Sequence, residues 1–147
     1  MEIFTVTKIR AYVFSVLILF LSNSIVVSQS WQGMGTGAGG TVNATIVFGS
    51  EVIAAGYFAV AGGQLVNNIA RWNGTTWQPL GLGTNDTIFA LAIYNNMLVA
   101  GGRFTSAGGV NCNKIALWNG SSWSSTNGII NGNVFALAVN GAYLSVG

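Results

Sequence analysis

The chain has 147 residues, of which 51% are hydrophobic and only 5% charged, with a formal net charge of +2, one cysteine and no histidine. Lys8 and Arg10 supply much of that charge, and beyond residue 30 only Glu51, Arg71, Asp86, Arg103 and Lys114 are charged. There is no basic footprint for a nucleic acid and no second thiol for an internal disulfide, so Cys112 reads as a small buried residue rather than a working thiol.

Residues 1–30 have the order of a secretory signal. Lys8 and Arg10 form a basic start, AYVFSVLILFL is an apolar run from Ala11, Ser22 to Ser24 break it, and Val26, Ser28 and Ser30 offer small residues for a peptidase. This predicts a secreted or cell-surface, extracytoplasmic protein. Left uncleaved, Ala11 to Val27 would instead be nearly long enough to anchor the chain in a membrane if tilted.

The chain after residue 30 repeats with a period of 46 residues. Trp31, Trp77 and Trp123 mark it, and the same offset relates Trp72 to Trp118, Asn73 to Asn119, Gly56 to Gly102 and Phe58 to Phe104. Ala61-Gly62-Gly63 likewise becomes Ala107-Gly108-Gly109, and Val42 becomes Ile88 and then Val134, with no insertion anywhere. The pattern divides the chain into a leading strand (31–40), a first unit (41–86), a second (87–132) and half of a third (133–147).

Each unit predicts four strands. TIFALAIY (87–94) and NVFALAVN (133–140) are short, continuously apolar runs bounded by turns, as expected of strands buried on both faces. NMLVAGGRF (96–104) follows through a tight turn at Asn95 and Asn96. After Ala-Gly-Gly and a loop, NKIALWN (113–119) and SSWSST (121–126) are the third and fourth strands, with Pro79 tolerated at an edge in the first unit.

Between the last two strands stands Asn73-Gly74 or Asn119-Gly120, the strongest short hairpin signal, which predicts a two-residue turn. That register sets Trp72 opposite Thr75 and Ala70 opposite Trp77, and alternation puts Trp72 and Trp77, like Trp118 and Trp123, on one face. Such rings call for a covering sheet. Gly62, Gly63, Gly108 and Gly109 fall where special backbone angles or close contact require glycine.

The strand ending in Gly-Gly before an aromatic residue, as in VAGGRF (99–104), and the later Trp-Asn-Gly-Ser-Ser-Trp (118–123) resemble kelch-type β-propeller blades. They are similar to the central domain of galactose oxidase-like proteins and to arrays on exported bacterial surface proteins. The resemblance covers residues 31–147 and implies an all-β partial β-propeller of four-stranded antiparallel blades, about two and a half in number. Galactose oxidase chemistry, which needs histidine and tyrosine copper ligands, does not carry over to a chain without histidine.

No catalytic, cofactor-binding or metal-ligating constellation can be assembled from the sequence. Glu51 and Asp86 occupy unrelated repeat positions, and the serines lack a histidine base. Asp86 reads as a turn former in GLGTNDT, and Arg71, Arg103 and Lys114 as solvated edge residues. Asn43, Asn73, Asn85 and Asn119 begin Asn-x-Ser/Thr sequons. The expectation is an exported binding or structural scaffold with a protein or carbohydrate partner, not itself an enzyme, forming the front of a longer protein. A fragment of a secreted carbohydrate-active enzyme, with its catalytic residues beyond residue 147, is the alternative, and self-assembly of a complete short chain is a further one.

Overall fold

The computed structural model describes residues 34–128 and 130–147. The expected signal segment and positions 31–33 of the expected leading strand lie outside the described residues. All described regular structure is β, and no described helix is long and apolar enough to cross a membrane.

Two four-stranded antiparallel sheets follow one another. The first contains β1 (Thr41–Phe48), β2 (Glu51–Tyr57), β5 (Ile69–Trp72) and β6 (Trp77–Pro79), in the order β1-β2-β5-β6. The second has β7 (Ile88–Tyr94), β8 (Met97–Gly102), β11 (Ile115–Trp118) and β12 (Trp123–Ser125), in the corresponding order β7-β8-β11-β12. A two-stranded sheet of β13 (Leu137–Asn140) and β14 (Tyr143–Val146) comes last.

Each four-stranded sheet is also accompanied by a small hairpin at and just after Ala-Gly-Gly, where the sequence suggests a loop. It is β3 (Val60–Ala61) with β4 (Gln64–Leu65) in the first unit, and β9 (Ser106–Ala107) with β10 (Val110–Asn111) in the second. Gly62 and Gly63 have φ of 57° and 79°, and Gly108 and Gly109 have 59° and 83°. Positive φ at both central residues is what a two-residue turn matched to strand twist demands, so the glycine pairs make these hairpins possible.

The turn at Asn95–Asn96 is of the same kind, with φ of 49° and 60° between paired Tyr94 and Met97. Its counterparts solve the problem differently. Gly49 and Gly141 have positive φ while the residues after them do not, the requirement of a type II′ turn.

The Asn-Gly loops depart from the two-residue expectation. Trp72 pairs with Trp77 and Trp118 with Trp123, leaving four-residue loops at 73–76 and 119–122, and Ala70 faces Pro79 rather than Trp77. Asn73 Oδ1 accepts hydrogen bonds from the backbone N–H of Thr75 (3.0 Å) and Thr76 (2.9 Å), and Asn119 Oδ1 does the same for Ser121 and Ser122 (both 2.9 Å). Asparagine therefore builds the loop with its side chain, and only the glycine takes positive φ, 99° at Gly74 and 101° at Gly120. The cross-strand indoles still share a face, with ring centroids 5.5 Å and 5.3 Å apart.

Sheet-to-sheet packing forms the core. One face of the first sheet, with Ile53, Ala55 and Ile69, meets Leu98, Ala100, Ala116 and Trp118 of the second, with Leu80 and Phe104 completing the seam. Burying each large apolar side chain there contributes roughly 1.5 to 3 kcal/mol. The other face of the second sheet, with Ala92, Val99 and Ile115, packs against Leu137 and Leu144. Strand β7 lies beside both β1 and β13, and Asn43 Nδ2 donates to the Ile88 carbonyl at 2.8 Å across the first seam.

The expectation of strands buried on both faces is corrected by this arrangement. Along β7, Ile88, Ala90 and Ala92 are buried while Phe89 and Leu91 are half-buried. The run 133–140 shortens to β13, whose residues are exposed after Leu137, because nothing described covers its far side.

Candidate functional site

The repeated tryptophans and glycines come together as structure. Gly62 and Gly108 lie flat against the rings of Trp77 and Trp123, where an added Cβ would come within 2.9 Å and 2.6 Å of the indole Cδ1 atoms. Gly63 and Gly109 cap the same turns in the open, where only their backbone angle matters. Trp77 Nε1 donates to the Met34 carbonyl at 2.7 Å, and Trp123 Nε1 donates to the Leu80 carbonyl at 2.8 Å. Each ring is thus spent on packing and each polar N–H is satisfied by the segment entering its own unit. Cys112 is buried, and burial pushes its thiol above the usual range, which disfavours the nucleophilic thiolate.

Chemistry concentrates at the sheet ends where β1 and β7 begin. Arg103, just after β8, grips Asp86, just before β7, in a two-pronged contact: Nε to Oδ2 at 3.0 Å and Nη2 to Oδ1 at 2.9 Å. Asp86 Oδ1 also accepts from the Thr87 N–H at 2.7 Å. The Arg103 hydrogen bond foremost, helped by Thr87, holds the Asp86 carboxyl at about 2. Lys114 Nζ donates to the Arg103 carbonyl at 2.8 Å. Lys114 adopts φ of 67°, a left-handed conformation uncommon for lysine, at the position where the first unit has Asn68 with φ of 71°.

The sequence alone suggests a turn former at Asp86 and separate solvated edge residues at Arg103 and Lys114. Three of the five charges beyond residue 30 in fact meet here. The signal was present in the offset: Asp86, Arg103 and Lys114 all replace neutral residues, Gly40, Tyr57 and Asn68, at positions that both units bring together. A second pair, Arg71 with Glu51 at 3.4 Å, joins neighbouring strands of the first sheet.

At the matching end of the first sheet no ion pair fills the space. A cleft of about 440 Å³ opens there, lined by Gly39, Gly40, Thr41, Tyr57, Phe58, Ala59, Asn67 and Asn68, all uncharged. Gly40 is required because a Cβ would run into the Tyr57 carbonyl and the Phe58 side chain. Asn68 is fully used as a brace: its Oδ1 accepts from the Phe58 N–H at 3.2 Å and its Nδ2 donates to the Thr84 carbonyl at 2.9 Å. Asn67 Nδ2 donates to the Leu82 carbonyl at 3.0 Å, and Tyr57 stands 63% exposed at the rim. A more open cleft of about 500 Å³ with Phe48, Glu51 and Ile93 lies at the opposite end of the sheet.

Among the described residues no group of three or more histidine, cysteine, aspartate or glutamate side chains could hold a metal ion. No protein-family model, no curated protein and no solved structure matches the chain.

Proposed function

We propose that the chain is an exported β-propeller module of kelch-like blades that serves as a binding or structural scaffold. One observation carries this reading: the contacts that tie each unit to the segment preceding it recur at the sequence period. Trp77 to Met34 becomes Trp123 to Leu80, the Gly62 N–H to Gly37 carbonyl bond (2.9 Å) becomes Gly108 to Gly83 (2.8 Å), and the bridge Ala38↔Ala61 becomes Thr84↔Ala107. Contacts that recur from one unit to the next generate a regular array, and sheets whose first strands neighbour one another, β7 lying beside both β1 and β13, suit a radial one. Export follows from the signal-like residues 1–30, and scaffolding from a surface given to neutral loops and turns.

Radial and linear stacking differ in one measurable distance. Val47, Ile93 and Val139 occupy equivalent exposed positions on β1, β7 and β13. With Cys112 replaced by valine, its repeat counterpart, spin labels at pairs of these positions give three distances by pulsed electron resonance. A propeller makes the 47–139 distance clearly less than twice the 47–93 distance; a value equal to twice would describe a straight stack and end the proposal.

A further inference from the structure

We infer that the cleft between Gly40 and Tyr57 is a binding site for a neutral saccharide unit. The inference deepens the scaffold reading by naming a ligand class and its place. Both units bring the same two positions together at this sheet end, yet the second closes the space with the Asp86–Arg103 ion pair while the first leaves about 440 Å³ open. That volume lies in the range of small-molecule pockets, roughly 300 to 1,000 Å³.

The lining selects the ligand. No charged side chain lines the cleft, so an ionic ligand would lose hydration without a partner. Tyr57 is exposed although its repeat counterpart Arg103 is engaged, and its ring offers an apolar wall. Among the described residues no protein group hydrogen-bonds the Tyr57 hydroxyl, the Thr41 hydroxyl or Asn67 Oδ1. One aromatic wall beside a few unused hydroxyl and amide groups matches a pyranose, which has an apolar face and a rim of hydroxyls. The cleft floor is stiff, since Asn68 ties Phe58 to Thr84, so little ordering is needed on binding.

The test is a titration of the full chain, isotopically labelled, with glucose, N-acetylglucosamine and glucuronate, followed through backbone amide resonances. Saturable shifts confined to Gly39, Gly40, Thr41 and Asn67 with either neutral sugar support the site. Tyr57→Ala should then weaken binding about tenfold, the equivalent of one ordinary aromatic contact, while Tyr57→Phe keeps most of it; neither changes the folded spectrum elsewhere, because Tyr57 is a rim residue. No saturable shift with any sugar, shifts centred on another face, or a preference for glucuronate would overturn the inference. The label distances between 47, 93 and 139 are independent of these results, so the site can fail while the radial reading stands, and the reverse.

Discussion

The first and second units share a sequence pattern and a topology but not a neighbourhood. The second sheet is covered on both faces, by the first sheet and by β13–β14; the first sheet has the second on one face, and on the other, among the described residues, no further sheet but only the segment with Met34 and Ala38. The first strand of the second sheet, β7, therefore buries Ile88, Ala90 and Ala92, whereas no residue of the equivalent β1 is fully buried. Trp118 is 5% exposed, and its counterpart Trp72 is half-buried. The same residue in the same local geometry is worth different amounts because burial belongs to the seam between sheets, not to the sheet.

The sharpest way to break this comparison is to remove the rings. Trp123→Ala and Trp118→Ala should each cost about 3 to 5 kcal/mol, and Trp72→Ala clearly less, measured as midpoint shifts in urea unfolding. Equal losses at 118 and 72 would show that the face packed on another sheet and the face packed on the Met34–Ala38 segment do not differ in energy. Next in size is Gly108→Ala, which must shift Trp123 and also accept a left-handed backbone. It should cost more than Gly109→Ala, which meets only the backbone cost of about 1 to 2 kcal/mol. Thermal melts of the pair separate close packing from conformation.

The ion pair gives a smaller difference between the units. Asp86 is held at about 2, below the ordinary carboxylate value, so its contribution is complete above about pH 4 and is lost as pH falls through 4 towards 2. Both partners are largely exposed, so solvent screening keeps the effect small. Asp86→Asn should flatten that part of the stability–pH curve. The smallest expected effect is a gain: Lys114→Asn installs the residue found at position 68, which accepts positive φ more readily, and should stabilise by roughly 0.5 kcal/mol in the same denaturation assay.

The period of 46, the tryptophan faces and the order of four strands were all legible in the sequence, because they depend on spacing and on burial of large side chains. What was not legible depends on competition between local solutions. Asn73 and Gly74 could have filled a two-residue turn, but the Asn73 side chain satisfies two backbone N–H groups at once, and the strands open to let Trp72 meet Trp77. The glycine pairs 62–63 and 108–109 carried a hairpin that flanking strands of only two residues could not announce. The Asp86–Arg103 contact spans 17 residues and rests on where two strand ends converge, which no local pattern states. For the cleft at Gly40 the clue was a missing side chain, visible only once its counterpart was seen to be paired.

The indole N–H bonds from Trp77 and Trp123 each reach back 43 residues, and the longest side-chain hydrogen bond described, from the Tyr94 hydroxyl to the Ala142 carbonyl, spans 48. Among the described residues no hydrogen bond ties the first sheet to β13–β14. Such a chain should acquire order by propagation, each sheet templating its successor, and under mechanical load it should yield in successive steps rather than in a single event.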